Sequence, residues 1–134
     1  MTLYVDASAL LKTYVDEADS DVAVAHLQSD PVLVTSWVTA VEVRRNLARL
    51  LDGPERTAAM AALEADLDAF ALVTAGELVC RAASRIGEVL GVRSLDAIHL
   101  ASAQQLQIPN LPFLTFDLRQ AQAARSLGLT VLGS

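Results

Sequence analysis

Asp6, Glu42, Asp96 and Asp117 are the residues whose type and placing in this chain suit chemistry. Asp6 and Asp117 each close a short apolar run, Leu3-Tyr4-Val5 and Leu114-Thr115-Phe116, and each opens a helical stretch. Asp96 lies in the first turn of an apolar helix, and Glu42 lies in the middle of another. Singly, each has an ordinary structural use. Asp6 and Asp117 suit N-caps that accept a backbone N–H. Asp96 suits the positive end of a helix macrodipole. Glu42 suits a solvated face shared with Arg45, Asn46 and Arg49 at spacings of three, four and seven. Together the four form a set of hard oxygen donors from separate elements, suited to Mg²⁺ or Mn²⁺. One or two such ions can drive water onto a phosphodiester without a Ser, Cys or His nucleophile. The rest of the chain agrees, since it has only His26 and His99, no Cys/His cluster at zinc spacing, no Gly-rich phosphate loop and no nucleophile elbow.

The elements that must position these acids follow from hydrophobic period and turn chemistry. A strand ending at Val5 leads into a helix over residues 7–14, and a second helix covers residues 20–28. The β-branched run Pro31-Val32-Leu33-Val34-Thr35 predicts a buried strand. Ala40, Val43, Leu47, Leu50 and Leu51 recur at helical spacing before the stop Asp52-Gly53-Pro54, and Trp37 at the start of that helix is expected in the core, with a dimer contact as the alternative. An Ala-rich helix over 55–70, a short strand over 71–74 and a helix over 77–90 follow. Ser94 is expected to cap a helix running to 106, buried on nearly all sides. Residues 112–116 predict a strand, 117–127 a helix closed by Gly128, and 129–132 a last strand. Alternating strands and helices predict a mostly parallel sheet covered by helices.

The 134 residues are expected to form one domain, with neither repeat nor linker. A 53% hydrophobic share with 4% aromatics predicts a core of Ala, Val and Leu. The net charge of −6 argues against a protein that coats nucleic acid by bulk electrostatics, but not against a nuclease, because bound cations reverse the local field of an acidic site. Lone Cys80 and the lack of a signal-like start predict a reducing, cytoplasmic home. The stretch 97–116 carries no charge, yet its glutamines, Asn110, Pro109 and Pro112 rule out a membrane span.

In the order and spacing of its motifs the chain resembles the PIN-domain ribonucleases, in particular the VapC-type toxins of bacterial toxin–antitoxin pairs. The resemblance covers the whole chain. It rests on Leu3-Tyr4-Val5-Asp6-Ala7-Ser8-Ala9-Leu10, on Glu42, on Leu95-Asp96-Ala97-Ile98-His99-Leu100-Ala101, on Leu114-Thr115-Phe116-Asp117 and on Ala124-Arg125-Ser126-Leu127-Gly128-Leu129. It implies a three-layer α/β/α PIN-like domain over 1–134, with Asp6, Glu42, Asp96 and Asp117 as catalytic metal ligands for Mg²⁺ or Mn²⁺. It implies hydrolysis of the RNA backbone by metal-activated water, with Ser8 and Thr115 as supporting hydroxyls or as simple caps. Separately, the spacing of Arg45 and Arg49 around Glu42 makes them candidates to hold substrate phosphates. It also implies a small antitoxin as partner and a homodimer. Ala7 departs from the family, where Thr or Ser is frequent, and Asp117 is the sole acid of its loop.

His99, one turn after Asp96, is expected to be a packed, hydrogen-bonded histidine rather than a substrate contact. Arg44, and Arg81 with Arg85, are candidates for phosphate contact or for ordinary surface pairing. A receiver-type signalling domain needs an acidic pair after strand one and a late lysine, whereas Lys12 is the only lysine. A haloacid-type phosphatase needs Asp where Ser8 stands. The remaining alternative is a catalytically weak PIN-fold module that acts by protein interaction.

Overall fold

The computed structural model describes residues 1–29 and 32–134. In chain order the elements are β1 (Thr2–Val5), α1 (Ala7–Leu11), α2 (Ser20–Ser29), β2 (Val32–Ser36), α3 (Trp37–Leu50), α4 (Gly53–Asp68), β3 (Ala71–Val73), α5 (Glu77–Leu90), α6 (Ser94–Gln105), β4 (Pro112–Leu114), α7 (Leu118–Ser126) and β5 (Thr130–Leu132). The strands lie in the order β3-β2-β1-β4-β5, and every pairing is parallel. Expectation and structure agree on the class: a parallel sheet between two helical layers.

The two layers follow from strand alternation. Leu3 and Val5 point to one face and pack with Leu10 of α1, Val43 and Leu47 of α3 and Leu63 of α4. Tyr4 and Phe113 point to the other and pack with Val79 and Ile86 of α5, Leu100 of α6 and Ala124 of α7. The small residues Ala97, Ala101 and Ala103 of α6 are buried in this second cluster. Gly91 ends α5 in the left-handed conformation, φ +71°, which glycine takes without steric cost.

The strand order sets where a ligand can bind. From central β1 the chain winds outward through β2 and β3, then returns to add β4 on the opposite side. β1 and β4 therefore flank the switch point, beyond whose carboxyl ends a crevice opens. Asp6 and Asp117 stand at that crevice.

Several boundaries differ from expectation, each for a local reason. Helix α1 stops at Leu11 because Thr13 and Tyr14 bond to Leu10 and Leu11, three residues back, as tight turns. β4 stops at Leu114, since the N–H groups of Phe116 and Asp117 turn instead to the hydroxyls of Ser8 and Thr115. Ser94 is not the cap of α6 but its first residue. Arg93 takes the cap position, and its side chain bonds to Asp96. Trp37 is not in the core: it is 53% exposed, because the buried stripe of α3 is Thr39, Val43 and Leu47, whose centre lies about 120° around the helix from it. Pro31, expected to begin β2, lies outside the described residues. Among the described residues no helix is long and apolar enough to cross a membrane, and 97–116 is indeed helix, loop and strand.

Candidate functional site

The four acids line a single depression of about 190 Å³, together with Ala7, Ser8, Leu11, Asn46, Arg93 and His99. Asp6 follows β1 and caps α1. Its Oδ1 accepts from the Ala9 N–H at 3.1 Å and from the Ser8 hydroxyl at 2.6 Å. Asp117 does the same three residues beyond β4, where Oδ1 accepts from the Gln120 N–H at 3.0 Å. The capping uses expected of both aspartates are therefore real, and they coexist with a place in the crevice.

Ser8 and Thr115 tie the two loops together. Ser8 Oγ accepts from the Phe116 N–H at 3.1 Å, Thr115 Oγ1 accepts from the Asp117 N–H at 3.2 Å, and the two hydroxyls are 3.4 Å apart. Gly133 closes over this loop at φ +92°, where a Cβ would come within 2.7 Å of the Thr115 carbonyl.

Two side chains enter from the helices. Glu42 reaches in from the middle of α3, and its Oε1 lies 2.7 Å from His99 Nε2. Asp96, in the first turn of α6, accepts from Arg93 Nε at 3.1 Å, while Arg93 Nη2 reaches Asp117 Oδ2 at 3.3 Å. Arg93 was not singled out from the sequence. It stands at the cap position of α6, and its spacing of three from Asp96 is the one signal that could have drawn notice. Arg45 and Arg49 do not line the depression. Arg45 is exposed, and Arg49 bonds to Asn46, which does line it. Arg44 pairs with Glu64 and Arg81 with Glu77, ordinary surface pairs of small energetic weight.

The electrostatics are those of an under-compensated acidic site. Burial pushes the Asp6 carboxyl above the ordinary range, opposed in part by His99 and by hydrogen bonds from Ser8, Thr115 and the Ala9 N–H. Burial also raises Asp96, which Arg93 pulls down and Asp117 pushes further up. The guanidinium of Arg93 is itself raised by its bond to Asp96. A cation is already drawn into the site, in the form of Arg93.

The donor set is all oxygen, which suits a hard divalent ion better than a soft one. A positive group bridging Asp96 and Asp117 shows that these two accept a shared cation. As the side chains stand, however, no three Asp, Glu, His or Cys groups among the described residues are grouped closely enough to hold an ion. Asp96 and Asp117 are turned to Arg93, so an ion shared by them would have to displace its guanidinium. The donor chemistry of the four carboxylates fits such an ion.

Comparisons with known proteins place this geometry. The PIN domain profile matches residues 3–126. Ribonuclease VapC46 of Mycobacterium tuberculosis is 32% identical over 133 residues, covering 97% of this chain and 95% of that protein. The crystal structure of FitAcB from Neisseria gonorrhoeae superposes with a TM-score of 0.77 at 22% identity, over 98% of this chain and 96% of that one. A member of the VapBC family of toxin–antitoxin systems, VapBC-5 from Mycobacterium tuberculosis, superposes with a TM-score of 0.69 at 19% identity, over 99% and 98% of the two chains.

Proposed function

The chain belongs to the PIN-domain family, and on that footing we propose that it is a divalent-metal-dependent endoribonuclease, the toxin of a toxin–antitoxin pair. The observation that carries the reading is the meeting of Asp6, Glu42, Asp96 and Asp117, from four separate elements, in one depression at the switch point of a parallel sheet. Each is proposed as a catalytic ligand for Mg²⁺ or Mn²⁺. When bound, such an ion supplies Lewis acidity for water attack on phosphorus and for departure of the ribose oxygen.

The chain's own residues do the rest. Ser8 and the Ala9 N–H hold Asp6, Thr115 steadies the backbone that presents Asp117, and Gln120 ties α7 to the Asp96 carbonyl at 3.0 Å. Arg93, once displaced, is free to meet a phosphate oxygen, and Arg45 and Arg49 extend the positive surface of α3 for the RNA backbone. The name of VapC46 supports RNA as the substrate. The FitAcB and VapBC-5 likenesses support the fold on which a small antitoxin would act. The Arg93 bridge shows that a guanidinium fits between Asp96 and Asp117, so a basic side chain of such a partner would block the site there. A homodimer, a cytoplasmic home consistent with the free Cys80, and a single PIN-like domain over 1–134 complete the proposal.

One observation favours the alternative of a catalytically weak interaction module: Asp96 and Asp117 are occupied by Arg93. A pool of structured RNAs, incubated with wild type and with Asp96→Asn in Mg²⁺, Mn²⁺ or chelator, separates the two. Metal-dependent cleavage by wild type alone supports the nuclease, and cleavage by neither protein in any metal supports the module.

A further inference from the structure

Three side chains from three elements form an unbroken chain behind the acidic depression. Tyr4 of β1 lies with its hydroxyl 2.9 Å from His99 Nδ1 on α6, and His99 Nε2 lies 2.7 Å from Glu42 Oε1 on α3. Tyr4 is fully buried and stacked on Phe113, with ring centroids 5.2 Å apart. The His99 side chain is 2% exposed and that of Glu42 is 20% exposed. The direction of the bonds follows from donor chemistry. A carboxylate only accepts, so Nε2 carries a proton, and in the neutral imidazole Nδ1 is then left as an acceptor for the Tyr4 hydroxyl. Burial pushes that hydroxyl well above its ordinary range, so it stays a donor.

We propose that His99, held in orientation and tautomer by Tyr4, is a positioning residue that fixes Glu42 as an oxygen ligand of the site. The inference rests on the metal-dependent reading above. Glu42 arrives on a long side chain from the middle of α3, unlike Asp6 and Asp117, which their caps hold. Its Oε1 is taken by His99, while Oε2 has no hydrogen bond among the described residues and remains for the ion. A buried imidazole in this position is otherwise costly, because an apolar side chain of its size would fill the space with no polar atoms to satisfy. Hydrogen bonding behind a ligating group typically governs metal affinity by about 10- to 100-fold.

The test is Mn²⁺ binding without RNA, followed by calorimetry, with circular dichroism to confirm folding. His99→Leu is expected to weaken Mn²⁺ about 10- to 100-fold, and His99→Gln, whose amide N–H can replace Nε2–H, to recover most of the loss. Tyr4→Phe is expected to lose less, in the same direction. In a Glu42→Gln background the His99 and Tyr4 changes are expected to have no further effect, because they act through Glu42. Losses that add in that background, or wild-type affinity in a folded His99→Leu or Tyr4→Phe protein, overturn the proposal. An unfolded His99→Leu leaves the decision to Tyr4→Phe and its cycle with Glu42→Gln. Wild type that binds no Mn²⁺ overturns the metal reading itself, a separate and distinguishable failure.

Discussion

Arg93→Gln is expected to tighten the binding of Mn²⁺ to the RNA-free protein. The guanidinium bridges Asp96 and Asp117 at 3.1 and 3.3 Å, so an ion shared by the same carboxylates would lie roughly 4 Å from it, at van der Waals separation. The Arg93 side chain is 75% exposed, which calls for a water-like dielectric. A unit charge and a divalent charge at that separation then repel by about 2 kcal/mol. Physiological salt, with a Debye length of about 8 Å, reduces this to roughly 1 kcal/mol. Removing the charge should therefore strengthen Mn²⁺ binding by about fivefold, with a larger gain at low ionic strength. Arg93→Lys keeps the charge but loses the two-pronged grip on both carboxylates, and should fall between wild type and Arg93→Gln. Calorimetric titration at two salt concentrations reads the effect. Unchanged or weaker binding by Arg93→Gln at low salt would refute the idea that this guanidinium competes for the metal position.

Asp6→Asn is expected to stabilise the metal-free protein by about 1 kcal/mol at neutral pH, since Asn keeps an accepting oxygen for the cap and removes a buried charge. Because burial raises the folded-state carboxyl of Asp6, the stability that wild type holds below the unfolded value of about 3.9 is lost as pH rises through the raised folded value. The advantage of the variant should thus be absent in acid and grow toward neutrality in thermal unfolding with chelator, and a less stable variant at pH 7 would contradict it. Trp37→Ala should cost less than about 1 kcal/mol in urea unfolding at low protein concentration, against the roughly 3–5 kcal/mol of a core tryptophan. A loss in that higher range would place Trp37 in the core after all.

The fold class was legible because apolar runs such as Leu3-Tyr4-Val5 and Val32-Leu33-Val34 read as parallel strands, and acids at strand ends are local features of sequence. The nearness of Asp6 and Asp117 was legible for the same reason, since the topology of a parallel sheet brings strand ends to one edge, whereas Glu42 and Asp96, on helices, joined them only through the family resemblance. What joins across the fold was not. The Tyr4–His99–Glu42 chain pairs residues separated by 95 and 57 positions, and no local pattern marks such a meeting. Expecting His99 to be packed and hydrogen-bonded described its burial without its partner. Arg93 escaped notice because its second bond, to Asp117, spans 24 residues. Trp37 was misplaced because residue type outweighed phase: the stripe through Thr39, Val43 and Leu47 turns it to solvent. Arg45 and Arg49 share a helix with Glu42, yet they project past the rim, and Asn46 takes the position beside the acids.

The most direct test of a shared four-acid site is the cleavage rate of one susceptible RNA, in Mn²⁺ and in chelator. It would compare wild type with Asp6→Asn, Glu42→Gln, Asp96→Asn, Asp117→Asn and the quadruple variant. Groups that act as a unit lose most of their effect with the first removal. The expected result is metal-dependent cleavage by wild type, with each single variant falling close to the quadruple variant. Cleavage that persists in chelator, or single losses that simply add up to the quadruple loss, would contradict the account.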